Sequence, residues 1–100
     1  MATVYVSPTG SDANTYVQAQ SSATPWLTLG KCQTSATTGD TIIIMAGTLT
    51  CTTVTFTKAF TIQGQTNNPA LYVLDFGTDV GPIVHNGVGL TLSFQYLTIK

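Results

Sequence analysis

From Thr41 onward the chain sets apolar against polar positions in short bursts. Thr41-Ile42-Ile43-Ile44-Met45 is a β-branched run bounded by Gly39 and Gly47. Thr52 to Thr57 alternates strictly, with Val54 and Phe56 on the inward face and threonines outward. Ala59 to Gly64, Leu71 to Phe76, Ile83-Val84, Leu90 to Phe94 and Tyr96 to Ile99 continue the series, separated by Gly, Asn, Pro or Asp turn residues. Each burst predicts a short strand.

Before Thr41 the pattern differs. Val4 and Val6 alternate with Thr3, Tyr5 and Ser7, predicting a strand stopped by Pro8-Thr9-Gly10. The polar stretch from Gly10 to Ser22 reads as a loop. The one helix expected follows it. Ser22 or Thr24 caps it, Pro25 suits its first position, and Trp26, Leu29, Cys32 and Ala36 share a face. Gly30 and the Ser/Thr run weaken this helix, and Gly39 ends it.

The composition narrows the classes. One hundred residues make one small domain. Lys31, Lys58 and Lys100 are the only basic side chains and Asp12, Asp40, Asp75 and Asp79 the only acidic ones, against 20 threonines. Disorder needs more charge and fewer β-branched residues. A helical bundle needs more Ala, Leu, Glu and Lys on its surfaces. With no Arg and a net charge of −1, the chain lacks the basic footprint that holds a phosphate backbone, so nucleic acid is excluded as a partner. No apolar run is long enough for a transmembrane helix, and Met1-Ala2 leads directly into a strand, so neither membrane insertion nor a signal peptide is expected. A threonine-rich, charge-poor chain suits an extracellular, cell-surface or virion-surface setting.

Short strands in series fit an antiparallel β-sandwich or a parallel β-helix. A sandwich favours tight Asn-Gly or Asp-Gly hairpins, and Asn86-Gly87 is the only such dipeptide. The recurrent unit is an apolar-Thr-apolar triplet, as in Phe60-Thr61-Ile62, Leu90-Thr91-Leu92 and Leu97-Thr98-Ile99. The all-β, parallel β-helix is favoured.

Tyr5 to Asp12, then Thr24-Pro25-Trp26-Leu27-Thr28-Leu29, then Gly39-Asp40-Thr41-Ile42, then Ala46 to Thr50 together resemble the entry segment of right-handed parallel β-helix proteins of the pectate-lyase-like superfamily. The resemblance implies a capping strand and short helix over residues 1–39 and the first coils of a solenoid over residues 40–100. The helix around Gly30-Lys31-Cys32-Gln33 departs from the family's longer, more charged one, and Leu49 stands where an aromatic is common. A solenoid needs a polar terminal cap, and the chain stops at Lys100 within a strand. A longer protein continuing beyond residue 100 is therefore expected, or else a bare end covered by another chain. This solenoid hosts lyases, hydrolases, tailspikes and adhesins alike, so the resemblance speaks for fold more than for activity.

Candidate chemistry is sparse. Cys32 and Cys51 either form a disulfide, worth about 3 kcal/mol by loop closure, or sit as two small buried hydrophobes; the disulfide is slightly favoured. His85 is the only histidine and reads as a surface residue beside a turn rather than a catalytic base. Asp12 with Asn14, and Asp75 with Asp79, have spacings that suit Ca²⁺, but two carboxylates make a weak site and turn formation explains them more simply. No cofactor is expected. Asp75 and Asp79 are also thin as a glycosidase pair. Tyr5, Tyr16, Tyr72, Tyr96 and Trp26 are candidates for stacking on a polysaccharide; Trp26 reads as core, and Tyr16 as the best exposed one. The leading functional expectation is a non-catalytic structural or adhesin-like surface module that associates with itself through an edge formed by Leu90, Leu92, Phe94, Leu97 and Ile99. The alternative is the leading portion of a polysaccharide lyase or glycoside hydrolase whose catalytic residues lie further along.

Overall fold

The computed structural model describes residues 2–51, 54–75, 83–85 and 92–99. Strands dominate among these residues. They are β1 (Thr3–Val6), β2 (Thr41–Ile44), β3 (Gly47–Thr50), β4 (Val54–Phe56), β5 (Phe60–Gly64), β6 (Tyr72–Asp75), β7 (Ile83–His85), β8 (Leu92–Gln95) and β9 (Thr98–Ile99). Two short helices, α1 (Tyr16–Ala19) and α2 (Leu29–Ser35), precede β2, and a 3-10 turn at Pro69–Leu71 precedes β6.

The strands form three sheets, ordered β1-β2-β5-β8, β3-β6-β9 and β4-β7. From β2 onward successive strands therefore enter different sheets, and the same itinerary recurs from β5 and begins again at β8. Every described ladder is parallel. That overturns the antiparallel alternative for these strands: none is joined to its partner by a hairpin, since β2 follows β1 after two helices and from β5 onward each strand meets its partner after the chain has visited the other sheets. In the first sheet the register aligns Thr3, Thr41, Thr61 and Ser93 in one row. The neighbouring row, Val4, Ile42 and Ile62, has no exposed surface.

Alternation explains this. Hydrophobic residues at every second position of β1 and β5, with Ile42 and Ile44 of β2, put one face of the first sheet into the core. Leu49 of β3 with Tyr72 and Leu74 of β6 fill it from a second side, and Phe56 and Phe60 meet edge-on with ring centroids 5.9 Å apart. The helix begins later than its sequence suggests. Its cap is Thr28, whose hydroxyl accepts from Lys31 N–H, and Trp26 is not helical but forms a parallel bridge to Val6. Pro25 does not open a helix because the Asp12 carboxylate accepts from Leu27 and Thr28 N–H, holding that stretch extended. Leu29, Cys32 and Ala36 are buried as expected. The expected loop contains α1, closed by a reciprocal cap in which Thr15 accepts from Gln18 N–H and Gln18 accepts from Thr15 N–H.

Candidate functional site

The best organised part of the molecule is the packing of residues 2–40 against the first strands. Asp40 is fully buried, and its carboxylate gathers donors from three segments: Ala2 N–H at 2.7 Å, Tyr16 Oη at 2.6 Å and Thr37 N–H at 2.9 Å. Burial alone would raise its pKa. The bonds from Tyr16, Ala2 and Thr37 outweigh that, and the carboxyl lies below its ordinary range. The same hydrogen bond to Asp40 is the chief reason the Tyr16 phenol is pushed up from 10.0. Tyr16 is thus not a free stacking platform. It is half-buried, stacks on Trp26 at 6.2 Å and ties α1 to the turn before β2.

A second carboxylate fixes the far end of the same segment. Asp12 accepts from Leu27 N–H, Thr28 N–H and Thr28 Oγ1, while Asn14 donates to Pro25 O. These bonds occupy the residues considered for Ca²⁺. Among the described residues no group of three or more His, Cys, Asp or Glu could hold a metal. Asp79 lies outside the described residues, as does the side chain of His85, whose backbone pairs with Phe56.

The N-terminal segment covers the outer edges of the first strands. Trp26 N–H donates to Tyr5 O and Ser7 N–H to Trp26 O, both at 2.9 Å, which covers the outer side of β1 at its C-terminal end. On the opposite flank α2 packs on β4. Gln33 donates to Thr57 Oγ1 and accepts from Thr57 N–H, and Lys58 Nζ donates to Ala36 O.

Cys32 and Cys51 are both buried and both free, so the expected disulfide is not made here. Cys32 Sγ donates to Thr28 O and Cys51 Sγ to Leu49 O. Burial, with the Asp12 charge adding to it, holds the Cys32 thiol far above its ordinary range, and burial pushes Cys51 up to about 11. Neither is poised as a nucleophile.

At the other end, β8 pairs with β5 and, among the described residues, has no strand on its other side. Of the residues expected to form a self-association edge, Leu90 lies outside the described residues, as do the side chains of Leu92 and Ile99. Phe94 and Leu97 are half-buried and pack against the core. The register explains this, since Phe94 lies opposite Ile62 and so points inward. What β8 offers outward is backbone. A shallow cleft of about 150 Å³ lies nearby, lined by Gly39, Ala59, Phe60, Thr61 and Ser93, with no titratable side chain. No helix among the described residues is long and apolar enough to cross a membrane.

Compared with known proteins, the chain matches no protein-family model, no curated protein and no solved structure.

Proposed function

We propose that this chain is the capped entry portion of a right-handed parallel β-helix with a non-catalytic, structural role at an extracellular, cell or virion surface. One observation carries the reading: from β2 onward, consecutive strands visit three sheets in a fixed order and pair in parallel each time the order recurs. A chain that winds in this way makes a stiff rod whose outer rows are mostly threonine and other uncharged residues, Asp75 opposite Thr50 being charged. Such a rod spaces or presents other elements.

The fold is tested by through-space amide contacts in the isotope-labelled chain. Contacts linking Thr41 with Thr61, Thr61 with Ser93 and Val73 with Thr98 are expected; antiparallel cross-strand contacts would overturn the solenoid. The function is tested by incubating the chain with acidic and neutral polysaccharides and following chain length. No shortening is expected, and cleavage would replace the structural role with an enzymatic one.

A further inference from the structure

The N-terminal cover brings two easily oxidised rings into contact and gives them opposite surroundings. Trp26 is fully buried, and the half-buried Tyr16 stacks on it with planes 27° apart and centroids 6.2 Å apart. The Lys31 ammonium sits over the indole, 5.9 Å from its centroid. A cation there disfavours the positive charge that the ring acquires on losing an electron. The indole N–H has no base to receive its proton, because Nε1 donates to the Asn14 carbonyl at 2.7 Å. Asp12, the other charge on this segment, has its carboxylate occupied by Leu27 and Thr28. Tyr16 is placed the other way. Its hydroxyl donates at 2.6 Å to the Asp40 carboxylate, which Ala2 and Thr37 N–H help to hold ionised. A phenol bonded to a carboxylate sheds its proton as the electron leaves, so no positive charge builds up on the ring.

We infer that Tyr16 is a redox-active tyrosine: it refills an oxidised Trp26, passes its phenolic proton to Asp40, and holds the radical where a soluble reductant reaches it. The oxidant is of the peroxyl-radical class. It takes one electron from Trp26 and, with a proton from solvent, becomes a hydroperoxide, leaving the indole as a radical cation. Tyr16 returns an electron to the indole, which keeps its N–H throughout, and the phenolic proton moves to Asp40 Oδ2 in the same step. An enediol reductant such as ascorbate then gives one electron to the phenoxyl oxygen, and the proton returns from Asp40. Nothing in the chain is consumed. Without the relay, oxygen adds to a ring of the main hydrophobic cluster, a polar lesion with no room around it. The inference stands on contacts within the N-terminal cover and is independent of how the strands wind.

The test is flash photolysis of the full chain with light absorbed by the indole, hexaamminecobalt(III) capturing the ejected electron. Trp26 is the only tryptophan, so the radical starts at one place. Its visible absorption is expected to give way to that of a tyrosyl radical, at a rate independent of chain concentration and slower in deuterated water. Y16F is expected to abolish the conversion, and Y96F, at an exposed phenol, to leave it unchanged. K31M keeps the aliphatic stem and removes the cation, and is expected to slow the conversion severalfold. Under peroxyl radicals with ascorbate, mass spectrometry is expected to find oxygen on Trp26 severalfold more often in Y16F than in the parent chain. A parent chain without conversion overturns the relay, and a conversion that survives Y16F overturns Tyr16 as its acceptor. Indifference to deuterated water overturns the proton's passage to Asp40, and indifference to K31M overturns the bias set by the cation. If Y16F fails to fold, the parent chain and K31M decide the matter by themselves.

Discussion

Asp40 draws an amide from the chain start, a phenol from α1 and an amide from its own turn onto one carboxylate with no exposed surface. Asp40→Asn keeps the size and loses the charge that all three donors face, so a loss of about 1–3 kcal/mol is expected in urea unfolding. The pH dependence follows from the same geometry. Because the folded carboxyl lies below its unfolded value, its contribution is full above about pH 4 and is lost as pH falls through the folded pKa. Tyr16 acts in the opposite direction: its raised phenol contributes below about pH 10 and is lost as pH climbs through the folded value. Unfolding midpoints measured across pH are therefore expected to fall at both extremes, and Asp40→Asn to flatten both limbs. The thiols give an independent check. Alkylation at pH 8 is expected to be slow for both, with Cys51 labelled before the more deeply buried Cys32; fast labelling of Cys32 would mean that α2 opens readily.

Among the elements, α2 and the approach to it depend on Asp12. Asp12→Ala removes the acceptor for Leu27 and Thr28 N–H and for the Thr28 hydroxyl. A loss of about 1–2 kcal/mol is expected in urea unfolding, with the Trp26 fluorescence shifting as its cover loosens. β5 closes on Gly64 because nothing larger fits: an added Cβ would meet Tyr96 O at 2.5 Å and the Tyr72 ring at Cγ, 2.8 Å away. Gly64→Ala is expected to cost about 1–3 kcal/mol, read as a lowered melting temperature.

The strands β2, β5 and β6 were legible within a residue or so, because β-branched alternation between glycine and turn residues has a short-range cause. β3 has no strand signal of its own, since Gly47-Thr48-Leu49-Thr50 offers a single apolar residue and owes its strand to the partner β6. The start of α2 was misplaced because Pro25 obeys a local rule that Asp12, far back along the chain, overrides. Asp40 stands out in the sequence only as one of four acidic residues. Its role depends on where Ala2 and Tyr16 come to rest, and no spacing encodes that.

For the whole molecule, the only described ladder between strands adjacent in sequence joins β1 to β2, across both helices, and it too is parallel. Hairpins, the fastest β elements to form, are absent among the described strands. Refolding from urea is expected in the range of about milliseconds to seconds, and a microsecond phase carrying most of the β signal would contradict the parallel ladders. The capped end then acquires a kinetic meaning. The segment with Tyr16 and Trp26 leaves the ribosome before Asp40 and β2 and has nothing to close on until they emerge. Once that latch shuts, β5 finds the β2 edge waiting, and β6, β7 and β8 add in turn to β3, β4 and β5. The order of synthesis and the order of assembly coincide, so a nascent chain halted after β5 is expected to hold its first ladder already protected from hydrogen exchange.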